Sequence, residues 1–315
     1  MRQGDLPDSR PTVNPDEGRI SSQERPLYAR ATYASAFGLP ALDVPEWQTA
    51  LLQRPIPGSE WHDALGCYPL CTIALTANLE SGLKRLRAHG MVSVALVADP
   101  TVGLTRERLL AAFPVCHPFK QHYLLDRGAG EFQFSTTHRR WIRKATRLCR
   151  IEQACLSELL GEWDKLYRGA IERHGMTGLQ KFSSEYFRAL SRMPEIHAFC
   201  ARIDGEPVAI SLWVRAPGVA YYHLGASNEK GYGTQAMYGV FAAALEYFAD
   251  VPIIHFGGAA GIEARSEDGL ARFKRGFANR EVEAYFCGAC LDRERYATLT
   301  QSKAATSYFP AYRTT

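Results

Sequence analysis

Two apolar runs, Ile196 to Ile203 and Glu206 to Val214, are separated only by Asp204-Gly205, and that junction restricts the fold more than any other stretch of the chain. A two-residue Asp-Gly link suits the tight turn of a β-hairpin, which needs φ > 0 at its centre. The two runs are therefore expected to pair as antiparallel strands. Ahead of them, Leu156, Leu159, Leu160, Trp163, Leu166, Tyr167 and Ala170 recur at helical spacing over residues 155–174. Helical patterns also cover 137–149 and 183–192. After the hairpin come a strand at 219–225, a helix at 235–248, a strand at 253–256 and a late strand at 283–290. Helix, helix, hairpin, strand, helix, strand is not the regular alternation of a barrel. It predicts a mixed α/β fold with a mostly antiparallel sheet.

The earlier half carries a second pattern. Residues 70–75 and 91–98 read as strands around a helix at 78–89, a β-α-β arrangement. A helix capped by Thr105 and a strand at 120–126 follow. Trp47, Leu51, Leu52, Trp61 and Leu65 indicate short elements on a core, whereas residues 1–26 lack periodicity and read as a flexible tail. With 315 residues, 46% hydrophobic and 22% charged, the chain has the composition of a globular protein. Its start lacks the apolar core of a secretory signal, and no apolar run reaches membrane-spanning length. A cytoplasmic protein without membrane insertion is the expectation. Eight cysteines are scattered; only Cys287-Gly-Ala-Cys290 has tight metal-ligand spacing, without a second pair. Reduced, buried thiols and no metal are expected.

Three segments suggest chemistry. His255-Phe-Gly-Gly258 leads from an apolar strand into a glycine-rich turn, and Phe273-Lys274 follows after Asp268-Gly. Glycines permit close backbone approach, and Lys274 supplies a point charge for an anion or oxyanion. Gly231-Tyr-Gly233, before the 235–248 helix, could offer amides to a phosphate. Between His138 and Arg150 stand Arg139, Arg140, Arg143, Lys144 and Arg147 with no acidic residue. On a helix, Arg140, Lys144 and Arg147 share a face with Arg139 and Arg143 beside it, while Trp141, Ala145 and Leu148 occupy another. Such a face can grip phosphates.

The order of these words resembles the GNAT-type acetyltransferase superfamily. More closely, it is similar to the Fem-like peptidoglycan-bridge aminoacyltransferases and their BioF2/CelD-like relatives. The resemblance spans roughly residues 120–299. It is carried by Thr137-His-Arg-Arg-Trp-Ile-Arg-Lys-Ala145, Trp163 with Leu166-Tyr167 and His174, Asp204-Gly205 with Val208-Ala209, Tyr221-Tyr-His223, His255-Phe-Gly-Gly258, Phe273-Lys-Arg-Gly-Phe277 and Tyr296-Ala-Thr-Leu299. It implies two GNAT-like units in tandem, a degenerate one at 27–130 and a second at 131–305, with a C-terminal tail at 306–315. It also implies transfer of an acyl or aminoacyl group from an activated carrier to an amine. The usual coenzyme A loop has Gln or Arg three positions before Gly231; here that position is Asn228.

The expectation is thus an acyltransferase with no bound cofactor, whose donor is aminoacyl-tRNA and whose acceptor is a small or peptidoglycan-like amine. Lys274 is the candidate for oxyanion or phosphate contact, His223 for general base and Tyr222 for leaving-group acid. Arg139, Arg140, Arg143, Lys144, Arg147, Gly231 and Gly233 are the candidate donor site. Trp163, Tyr167, His255, Gly257, Gly258 and Phe273 are the candidate acceptor cleft. Two alternatives stand beside it: an acyl-CoA donor on the same fold, and a non-catalytic nucleic-acid-binding protein on a decayed acyltransferase fold.

Overall fold

A computed structural model describes residues 25–175, 181–259, 269–301, 303–304 and 306–314. The expected tail lies outside these residues except for Arg25 and Pro26, and so does the 260–268 segment between the glycine pair and Gly269. In chain order the elements begin with α1 (Ala31–Ser35), β1 (Ala41–Val44), β2 (Thr49–Pro55), β3 (His62–Leu65), α2 (Leu79–Ala88), β4 (Met91–Val97), α3 (Arg106–Ala112) and β5 (Val115–Asp126). They continue with α4 (Thr136–Leu148), β6 (Arg150–Ala154), α5 (Leu156–His174), α6 (Ser184–Leu190), β7 (Ile196–Ile203), β8 (Glu206–Ala216) and β9 (Val219–Ser227). Last come α7 (Glu229–Thr234), α8 (Ala236–Tyr247), β10 (Ile253–Gly258), α9 (Gly269–Arg275), β11 (Arg280–Cys290) and α10 (Arg293–Thr300).

The eleven strands of the described residues join one mixed sheet in the order β1-β2-β3-β4-β11-β5-β10-β9-β8-β7-β6. Pairs β3–β4 and β9–β10 are parallel, and the remaining neighbours are antiparallel. The hairpin forms as expected: Asp204 and Gly205 take φ of 51° and 83° between β7 and β8. Alternation along β8 explains why that run is apolar throughout. Ile210, Leu212 and Val214 face a core shared with Trp163, Tyr167, Tyr186 and Phe187 of α5 and α6. Ala209 and Trp213 face the opposite core, built with Val240, Phe241 and Ala244 of α8. A strand covered on both sides has no polar face to show.

Residues 70–75 differ from the expected strand. Only Cys71 bridges a neighbour, Ala98, while Leu70, Cys71 and Ile73 are buried. The apolarity there reports burial rather than extended pairing. The segment at the end of the chain is docked: Tyr312 donates its hydroxyl to buried Asp63 at 2.9 Å, and Arg313 Nε reaches the same carboxylate at 3.0 Å. Arg25 is likewise buried and paired with Asp43.

Asn78 caps α2 by accepting the Ser81 amide, and Gly82 lets the helix lie against Trp47, whose Nε1 donates to the Leu79 carbonyl at 3.1 Å. A Cβ at Gly82 would stand 2.0 Å from that indole nitrogen. Gly82→Ala should therefore lower stability by about 2 kcal/mol through overpacking. A fall in the urea midpoint, followed by tryptophan fluorescence, checks this.

Candidate functional site

The parallel pair at the middle of the sheet is short. Ile253, Ile254 and His255 of β10 pair with Val219, Ala220 and Tyr221 of β9, and pairing ends there. Beyond that point β9 stays with β8 and β10 stays with β5, so the two strands part and leave a wedge. Each strand bulges where they part. Leu212 pairs with Leu224 and Trp213 with Tyr222, so His223 is an extra residue in β9. His255 pairs with Leu124 and Gly258 with His122, so β10 also carries one extra residue. Bulges bend a strand and re-aim its side chains, as a split of this kind requires.

Lys274 of α9 enters the wedge. Its Nζ donates to the Gly258 carbonyl at 2.6 Å and stands 5.3 Å from the centre of the Tyr222 ring, so one ammonium touches both parted strands. The residue is only 5% exposed. Gly257 has φ of 75°, and a side chain at Gly258 would meet the His122 ring at 2.9 Å. The glycine pair thus allows the turn and the close approach. Phe273 packs beside Lys274 on Phe241 and Tyr238.

His255 faces the other side of the sheet. Its Nε2 lies 3.0 Å from His122 Nδ1 and its ring rests on Tyr221. Burial, reinforced by the Lys274 charge, lowers its pKa to about 3. His122 is lowered too, by burial and then by His255 and Lys274. Tyr221 donates to buried Asp99 at 2.7 Å, and Thr72 and Thr101 also donate to that carboxylate. Burial raises the Asp99 pKa despite these bonds.

Several expected roles change with this geometry. His223 does not face the wedge. Its Nδ1 lies 3.0 Å from the Tyr28 hydroxyl and its Nε2 2.8 Å from that of Tyr186, and burial lowers its pKa to about 3. With both nitrogens engaged in the core, it lacks the setting of a general base. Trp163 and Tyr167 stack on each other inside the same core, so they form no cleft wall. Gly231 and Gly233 lie within α7, not in a loop. The Gly231 amide donates to Asn228 Oδ1 at 2.9 Å, and a Cβ there would meet the Val208 carbonyl at 2.2 Å. That glycine serves packing and a helix cap. Tyr222 is at the wedge, its hydroxyl close to Gly225, and burial pushes its pKa up.

The basic block forms α4 as expected. Arg139, Arg140, Arg143 and Arg147 are exposed, and none of them pairs with an acidic group among the described residues. Lys144 is half-buried and donates to the Gly233 carbonyl at 2.7 Å. The inner face is His138, Ile142, Ala145 and Cys149, while Leu148, grouped with Ala145 in the sequence, is exposed. Ala145 can approach α8 closely because residue 239 is glycine. No group of three or more metal-ligating side chains and no membrane-crossing helix occurs among the described residues.

A family profile described as an acetyltransferase (GNAT) domain matches residues 133–275, the stretch holding α4, the wedge and Lys274. The fold is that of the GNAT acyltransferases. Among solved structures it resembles FemX, with 14% identity, 79% of this chain and 86% of that one covered, and a TM-score of 0.59. It also resembles the C-terminal domain of a putative lysylphosphatidylglycerol synthetase from Agrobacterium fabrum (14% identity, 80% and 83% covered, TM-score 0.57). The L-PGS structure from Bacillus licheniformis is similar as well (13% identity, 82% and 91% covered, TM-score 0.53). At these identities the likeness is one of GNAT fold. No curated protein matches the chain in sequence.

The low histidine pKa values imply a pH dependence. In the unfolded chain these rings titrate near the ordinary 6.5; folded, His223 and His255 stay neutral down to about 3. The unfolded state therefore binds more protons in between, and stability falls as pH drops from 6.5 toward 3. Each such histidine contributes a slope of up to about 1.4 kcal/mol per pH unit. Urea midpoints measured across this range should fall, and His223→Gln should remove close to one proton from the linkage.

Proposed function

We propose that this chain is an acyltransferase that forms an amide, taking an aminoacyl group from aminoacyl-tRNA and passing it to the amine of a small or peptidoglycan-like acceptor. The observation that carries this reading is the buried Lys274 ammonium set between two parted strands. An acyl transfer passes through a tetrahedral intermediate, and a fixed cation in a water-poor cleft stabilises its oxyanion. The acceptor amine attacks the ester carbonyl, the carbon–oxygen bond to the carrier breaks, the proton shed by the attacking nitrogen returns to the acid, and the leaving oxygen takes up the acid's proton. Tyr222, whose ring lies under Lys274, is the proposed source of that proton. Because the donor ester is already activated, positioning and charge supply most of the rate.

The exposed arginines of α4 support a polyanionic carrier. Arg140 and Arg147 stand on the same helix whose Lys144 contacts the end of α7, beside the wedge. Capping of the Gly231 amide by Asn228 takes one phosphate-facing donor away from a coenzyme A loop. A tandem organisation, 27–130 and 131–305, is part of the same reading. It is supported by two parallel strand pairs, β3–β4 connected through α2 and β9–β10 connected through α7 and α8.

Purified protein should be offered labelled aminoacyl-tRNA and labelled acyl-CoA with a panel of amine acceptors. Lys274→Ala should lower kcat by about a hundred-fold with little change in KM. Unaltered turnover in that variant removes Lys274 from the chemistry. Arg140→Glu with Arg147→Glu should raise KM for the charged tRNA about ten-fold or more and weaken its salt dependence. Turnover of acyl-CoA alone would assign the other carrier.

A further inference from the structure

We propose that His138 is a positioning residue for Lys274, so that the helix bearing the cationic face also fixes where the buried ammonium stands. This rests on the reading of Lys274 given above. His138 is the first inward residue of α4 and only 6% exposed. Its Nε2 lies 3.1 Å from the carbonyl of Phe273, the residue immediately before Lys274. A carbonyl can only accept, so Nε2 carries the proton. In the neutral ring Nδ1 is then the acceptor, and Ser135 Oγ donates to it across 3.1 Å. Ser135 Oγ also accepts the His138 amide as the cap of α4, which fixes the ring's base. Burial lowers the His138 pKa, which favours this neutral form.

The ring is seated as well as bonded. A Cβ at Gly276 would stand 1.8 Å from His138 Cε1 and 2.0 Å from Nε2, so the imidazole lies directly on the backbone that ends α9. Phe277 and Tyr238 both pack on it in T-shaped contact, with ring centres 5.0 and 5.1 Å away. The bond before Lys274 and the contact after it hold α9 from both sides of that residue. The Lys274 side chain then needs only to extend to Gly258 O. No other function is required of His138, which never reaches the wedge itself.

The test is acylation of lysine amines by limiting acetic anhydride, mapped by mass spectrometry, with exposed Lys84 as the internal standard. In the wild type Lys274 should label far less than Lys84. His138→Phe and Gly276→Ala should each raise Lys274 labelling about five-fold or more as α9 loosens, while His138→Gln, whose amide can still donate to Phe273 O, stays near wild type. With a donor in hand, the first two should lower kcat about a hundred-fold at similar KM, and Gln should restore it. Should His138→Phe fail to fold, Gly276→Ala carries the test, because it displaces the ring without removing it. Wild-type labelling of Lys274 in a folded Gly276→Ala protein overturns the proposal, and so does His138→Gln behaving as His138→Phe. The labelling needs no donor. Absence of transfer in the wild type therefore counts against the acyltransferase reading and not against this one.

Discussion

Two parallel strands that pair for three residues and then separate leave backbone polar groups facing a gap inside the protein. Such groups must find partners, because an unpaired buried carbonyl or amide is costly. In this chain the Lys274 ammonium meets one of them, the Gly258 carbonyl, from a helix outside the sheet. The bulges at His223 and after His255 supply the divergence, and the glycines at 257 and 258 make room for it. Everything proposed about chemistry depends on this gap being held open by packing on both faces of the sheet.

The two faces at the gap are unlike in kind. Toward α8 and α9 lie Tyr222, Phe241, Phe273 and the lysine, an aromatic wall with one cation. Toward α5 and the N-terminal segment lie Tyr28, Tyr186, His223, Tyr221, Asp99 and the His122–His255 pair, each with its polar atom bonded within the set. The second set is three hydrogen-bonded groups, Tyr28–His223–Tyr186, Tyr221–Asp99 and His122–His255, joined to one another by ring packing, and such satisfied buried groups rigidify the structure around them. It gives the opening a stiff floor, whereas the first set gives it charge.

Much of the fold was legible because β7, β8, α5 and α8 carry strong local signals: an Asp-Gly turn between two apolar runs, and a helical stripe. β6 and β1 to β3 were not individually legible, since short strands with mixed exposure lack a period. Lys274 and the glycine pair could be picked from sequence, as a cation after a strand and glycine turn. His223 could not be placed correctly, because one inserted residue in β9 decides which side of the sheet it serves. Asp99, His122 and Tyr28 give no local signal for a related reason: Tyr221, His255 and His223, which they meet, lie more than a hundred residues away. The one available hint was a carboxylate closing the apolar run Met91 to Ala98. His138 was present in the basic block, but its role depends on Gly276, which no local pattern connects to it.

The place of β11 in the sheet has a consequence for how the chain is assembled. It comes last in sequence among the strands yet sits between β4 and β5, pairing with both. Until residues 280–290 arrive, β4 and β5 each present a bare edge, and two open edges invite pairing with other chains. The two halves of the sheet are therefore stitched together only once residues 280–290 have been made, by a strand from the far half. Contacts of such long sequence separation slow folding and lengthen the exposed interval. Pairing of this one strand covers both edges at once.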